Sequence, residues 1–162
     1  MGSPLRDPVR SAVQAQGVDA SGNPQAYWIT DGKDGVPATF QVTDVRTGER
    51  IFDQQVASGV LSHAIAFSKS EGAVYVAMTD GSWYRWTVGA KSLETLPRID
   101  ALPNHADSAI WALTVADDGV VYVGTSKALL ASFNPQTNKL TDLGAPVDGA
   151  TAIRSLQVAG DS

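Results

Sequence analysis

Residues 118–144 read DGVVYVGTSKALLASFNPQTNKLTDLG, and the punctuation of this stretch decides the fold. Asp118-Gly119 is a hairpin-turn dipeptide, and Ile110 to Ala116 before it alternates apolar with small or polar residues, as a half-buried strand does. After the turn, Val120 to Thr125 is β-branched and aromatic. Its near-continuous apolar character predicts burial on both faces of a sheet. Leu129 to Asn134 makes a third strand, and Pro135-Gln136-Thr137-Asn138 turns the chain. Lys139 to Leu143 makes a fourth, weaker and more polar, as an outermost strand should be, because exposed sheet edges are kept short and charged.

Working outward, the same unit recurs every 47 or 48 residues, from Tyr75 to Tyr122, Gly72 to Gly119, Trp86 to Phe133 and Tyr27 to Tyr75. In the preceding unit the strands are Ala64–Ser70, Ala73–Thr79, Ser82–Val88 and Leu93–Arg98, joined at Glu71-Gly72 and Asp80-Gly81, where glycine is expected at positive φ. In the first unit they are Val9–Gln14, Ala26–Thr30, Thr39–Thr43 and Arg50–Gln55. The stretch Ile153 to Ala159 echoes a first strand again. No segment carries apolar residues at helical spacing over three turns. The expected fold class is therefore all-β, a β-propeller of four-stranded antiparallel blades with an incomplete ring and almost no helix, since closed rings take about four to eight such blades. A leader at 1–8 precedes blades at 9–58, 63–103 and 109–147, with the first strand of a further blade at 152–159. The first strands of the second and third units align only with a one-residue slip, so a bulge is expected in one of them.

Twelve Lys and Arg against seventeen Asp and Glu give a net charge of −5, and the basic residues are scattered singly. No stripe is present for nucleic acid. No apolar run approaches the length of a membrane-spanning helix, and the first residues lack the apolar stretch of a secretion signal. Zero cysteines remove disulfides, thiolate nucleophiles and thiolate metal sites. There is no Gly-Lys-Ser phosphate loop, no Gly-x-Ser-x-Gly elbow and no dinucleotide fingerprint. The acidic turns at Asp31 to Asp34, Asp80, Asp117-Asp118 and Asp148-Gly149 lack the ligand spacing of a calcium loop, and hairpin geometry accounts for each. No metal or cofactor is expected.

With the units stacked, residues 118–144 resemble the blade repeat of bacterial propellers of the quinoprotein-like and WD40/YVTN-like kind, and the likeness covers the whole chain. VTDVRTGERIF, Val42 to Phe52, is similar to the quinoprotein repeat in which an Asp precedes a Thr-Gly turn and an aromatic follows. That aromatic is Phe52 here, where the family usually has Trp. The residues that hold the quinone and its calcium in those dehydrogenases have no matching motif, so the resemblance implies the fold and not the redox chemistry. It also implies a secreted or periplasmic setting.

Equivalent positions at the start of successive innermost strands form a ring. Arg10, His63, Trp111 and Arg154 occupy them, and could line one mouth of the central channel and grip an anionic or sugar ligand. The plainer alternative is that the arginines bond loop carbonyls and Trp111 packs between blades. His105 and Asp107 sit in the loop leading to the third inner strand, a place where functional side chains are often displayed; the alternative is a solvated polar loop. On the third strand of the second blade, Tyr84 and Trp86 share one face and Trp83 and Arg85 the other. Trp86 aligns with Phe133 and is expected in the core, whereas Trp83 lacks an aromatic counterpart and is the candidate for an exposed sugar-stacking ring.

An arc of blades leaves two flanking faces. They are expected to be apolar, and to be covered by the missing blades of a parent chain or by head-to-tail self-association. The functional expectation is a non-catalytic binding or scaffold module for a carbohydrate or protein ligand. Its rival is part of a secreted polysaccharide lyase or hydrolase.

Overall fold

The computed structural model describes residues 12–32, 36–58 and 60–159. Three antiparallel four-stranded sheets succeed one another along the chain, each a meander in sequence order. Blade 1 comprises β1 (Ala12–Val18), β2 (Pro24–Thr30), β3 (Pro37–Asp44) and β4 (Arg50–Ser58). Blade 2 comprises β5 (Ser62–Ser68), β6 (Ala73–Met78), β7 (Trp83–Thr87) and β8 (Glu94–Thr95), and blade 3 β9 (Ile110–Val115), β10 (Val121–Thr125), β11 (Leu130–Asn134) and β12 (Lys139–Gly144). Among the described residues the only helical element is a single 3-10 turn at Ile99–Ala101. No helix there is long and apolar enough to cross a membrane. The first strands β1, β5 and β9 lie side by side at the inner edge, so the sheets fan outward from one axis. The ring is not closed.

The blades are held together by aromatic side chains that enter the preceding sheet. Trp86 of β7 packs on Tyr27, Phe40 and Phe52 of blade 1, with ring centroids 6.0, 6.0 and 5.3 Å away. At the equivalent place Phe133 of β11 meets Tyr75 and Trp83 of blade 2 at 6.4 and 5.0 Å. Around them Ile29, Val42, Val74, Val76 and Met78 fill the first interface, and Ile99, Ile110, Val121 and Val123 the second. Each fully buried side chain of this size contributes about 1.5–3 kcal/mol of transfer free energy. β6 lies in the middle blade and is buried along its whole length, because both its faces meet a neighbouring sheet.

The turns follow the sequence. Gly72 and Gly81 have φ of 59° and 79°, where a side chain would be strained. Asp44 Oδ1 accepts the N–H groups of Arg46 and Thr47 at 2.8 and 3.0 Å, and Asn134 Oδ1 does the same for Gln136 and Thr137 two blades further on. These carboxylates and amides are occupied in turn geometry.

The slip between repeats has a different origin from the expected one. Both inner strands are bulged, β5 at His63 and β9 at Trp111, where the ladder skips one residue. Bulges at the same level cancel in the alignment. The extra residue lies in the β5–β6 turn: Phe67 pairs with Val74, whereas Val115 pairs with Val121.

The flanks are polar, contrary to the expectation of apolar ones. Away from blade 2, blade 1 presents Gln14, Trp28, Gln41 and Asp53 in one row across its four strands. On the far side of blade 3 the corresponding row is Thr114, Tyr122, Ser132 and Thr141. Alternation puts the core-forming apolar side chains of each terminal sheet on its inner face, so only the middle blade contributes core side chains from both faces.

The expected strand at 152–159 forms no ladder. The segment instead crosses the end of blade 3, where the Ile153 N–H donates to Thr125 O at 2.9 Å. Gly124 makes the seat, since a Cβ there would stand 2.4 Å from Ile153 Cγ2.

Candidate functional site at the inner edge

The bulges decide what the inner strands display. A bulged residue leaves the ladder and its side chain is re-aimed; His63 and Trp111 are the residues so displaced. His63 is exposed and Trp111 half-buried, at matching positions in adjacent strands. Their rings meet edge to face, centroids 6.1 Å apart and planes at 81°. The seating of Ile153 on Gly124 brings the next residue, Arg154, over the indole, with Cζ 4.3 Å from the ring centroid. Three of the four positions expected to form a ring thus form a row, His63, Trp111 and Arg154, across the mouth of the arc. Arg10, the fourth, lies outside the described residues.

The row is cationic at one end and aromatic in the middle. A guanidinium over an indole face is attracted by the ring quadrupole, worth about 0.5–1 kcal/mol at an exposed site, and keeps its in-plane N–H donors for another group. Among the described residues no carboxylate lies within ion-pairing distance of Arg154. The arrangement can take a planar anionic group such as a carboxylate, held by Arg154 donors beside the Trp111 ring. At the other end of the inner strands a shallow depression of about 420 Å³ is lined by Phe67, Lys69, Ser70, Val115, Ala116 and Asp117.

His105 has a structural place. It is fully buried, and its Nε2 lies 3.0 Å from Asp142 Oδ1 on the outermost strand β12. An ionised carboxylate offers no proton, so Nε2–H donates. His105 Nδ1 and Ser108 Oγ are buried without partners among the described residues. The solvated-loop reading of His105 does not hold: the side chain clasps the loop before β9 to the edge of blade 3. Asp142 is the partner that sequence reasoning did not find, since 37 residues separate the two and no motif links them. Asp107 is exposed, at φ 54°, and its side chain makes no hydrogen bond or ion pair among the described residues.

Trp83 is not an exposed ring. It is completely buried between blades 2 and 3 against Tyr75 and Phe133, and its Nε1–H donates to Pro97 O at 2.6 Å. The missing counterpart that suggested exposure reflects an uneven filling of the two interfaces: Trp83 and Phe133 share one gap. Trp86 is in the core as expected. Among the described residues no group of three His, Asp or Glu side chains could hold a metal ion.

No family model matches the sequence, and no curated protein matches it. Among solved structures, the chain is similar to the Cps50 (Swd1) β-propeller domain of Myceliophteria thermophila, with TM-score 0.60 and 14% identity over 88% of this chain and 44% of that one. At that identity the likeness shows the fold. The described sheets are blades of a partial β-propeller with WD40-like architecture, and the chain spans less than half the length of this neighbour.

Proposed function

We propose that the chain is a non-catalytic binding or scaffold module whose inner-edge row takes a carboxylate carried by a protein partner. One observation carries this reading: successive inner strands, both bulged at the same level, bring His63, Trp111 and Arg154 together with the Arg154 guanidinium lying on an indole. The grouping that a polysaccharide lyase or hydrolase would need is dispersed in space, which supports the binding reading over its rival. His63 stands at the inner edge, whereas His105 is buried and tied to the outermost strand.

Fluorescence titration of the full chain with Asp- and Glu-rich peptides tests the proposal. Salt-sensitive binding is expected, weakened about tenfold or more, ~1.4 kcal/mol or more, by Arg154→Ala and by Trp111→Ala. Binding indifferent to both substitutions refutes the assignment of the row. Binding to polygalacturonate alone would move it to an acidic carbohydrate, and release of new reducing or unsaturated ends from a polysaccharide panel would support the enzyme instead. Head-to-tail association was expected on the premise of apolar flanks, which the polar rows remove. Light scattering over a concentration series tests it, a mass that rises with concentration restoring the self-assembled ring.

A further inference from the structure

Blade 1 has two faces of opposite chemistry. Towards blade 2 one row runs Ala15, Tyr27, Val42 and Phe52 across the strands, all within or against the interface core. On the reverse, the row Gln14, Trp28, Gln41 and Asp53 is flanked by Thr39 on one side and Thr43 on the other. Gln14 and Asp53 are exposed, and Trp28 and Gln41 half-buried. Trp28 Nε1–H donates to Thr43 Oγ1 at 3.2 Å, a bond to the next row that leans the indole along the sheet. The charge of Asp53 is met by Arg50 at 3.6 Å. The result is a nearly neutral surface four strands wide, about 14 Å from the spacing of strands, set with amides and hydroxyls around one aromatic ring.

Other occupants fit this surface poorly. Another blade of the kind seen here would present an apolar face, as both interfaces in the chain do on each side, and would bury amides without partners. A second copy needs roughly 1,000 Å² with an apolar centre, and Trp28 is the one aromatic residue in these rows. Polyanions find no unpaired cation in the central row, and the chain itself carries a net charge of −5. A hydroxyl-rich neutral polymer fits. Glutamine amides both donate and accept, as sugar hydroxyls do, and an indole lying along a sheet suits the C–H face of a sugar ring. We propose that the outward face of blade 1, centred on Trp28 between Gln14 and Gln41, binds an extended neutral polysaccharide.

The test is affinity electrophoresis of the full chain through gels holding xylan, galactomannan or mixed-linkage glucan, with co-sedimentation on amorphous cellulose. Retention by at least one polymer is expected, unchanged by raised salt because no ion pair forms. The double variant Gln14→Ala/Gln41→Ala, with its fold checked by circular dichroism, should lose about tenfold in affinity, as should Trp28→Ala, while Trp111→Ala binds normally. Loss caused by Trp111→Ala would place any glycan at the inner-edge row instead. The proposal is overturned by absence of retention on all four polymers, by full retention in both face variants, or by retention on polygalacturonate alone. It is equally overturned if scattering shows a dimer that the face variants dissolve.

Discussion

Truncating Trp83 separates the two roles this residue was open to. A ligand-stacking side chain at a surface costs little stability when removed, whereas a side chain filling the gap between blades costs a great deal. Trp83 has no exposed surface; it meets Phe133 at 5.0 Å with planes at 78° and donates to Pro97 O. Trp→Ala at such a site costs about 3–5 kcal/mol, which includes the lost aromatic pairing and the cavity. The unpaired Pro97 carbonyl moves the value to the upper part of that range. We therefore expect ~4–5 kcal/mol, a large fraction of the ~5–15 kcal/mol that holds a typical domain folded. Urea unfolding followed by far-UV circular dichroism should show the midpoint falling by about 2 M or more at a urea slope of ~2 kcal/mol/M. Trp83→Phe keeps a ring against Phe133 and loses the N–H, for an expected loss of ~1–2 kcal/mol, and is measurable even if the alanine variant fails to fold. A loss below about 1 kcal/mol in the alanine variant with an unchanged slope would refute the interface role.

Gly124→Ala should unseat the segment after blade 3, because the new Cβ would overlap Ile153 at 2.4 Å; amide exchange at Ile153 should accelerate and the Arg154–Trp111 stack disperse, and unchanged protection of that amide refutes the seating. Hydrogen bonding from His105, then from the Gly144 N–H, holds the Asp142 carboxyl below its ordinary value of 3.8. The folded form thus releases this proton more readily than the unfolded one, so the stabilisation is complete above that value and is lost as pH falls below it. Asp142→Asn should flatten the acid limb of a stability–pH profile, and an identical limb counts against the clasp. Burial, then the charge of Asp19, pushes the Tyr27 phenol from 10.0 up to about 12. Its contribution is present below 10.0 and is lost as pH rises through about 12, so Tyr27→Phe should raise the alkaline unfolding midpoint followed by circular dichroism, and an unmoved midpoint refutes this.

The repeat was legible because a blade is a local object: strands of β-branched and aromatic residues closed by Asp-Gly, Glu-Gly and Asp-Asp-Gly turns pair with their neighbours in sequence. Trp86 and Phe133 could be placed in the core from the period alone. Trp83 could not, because whether a side chain on the other face of the same strand is covered depends on what the next blade puts opposite it. His105 was misplaced for the same reason, its partner Asp142 being distant in sequence and near only once blade 3 has folded.

Residue order alone determined the all-β class, the four-stranded unit, its period and the turn positions, since these depend on alternation and on backbone preferences within a few residues. Tertiary structure alone decided that His63 and Trp111 leave their ladders together, that Ile153 rests on Gly124 to bring Arg154 over the indole, and that the terminal faces are polar. Those outcomes rest on register and on contacts between sheets, where a shift of one residue exchanges the buried and exposed faces of a whole strand.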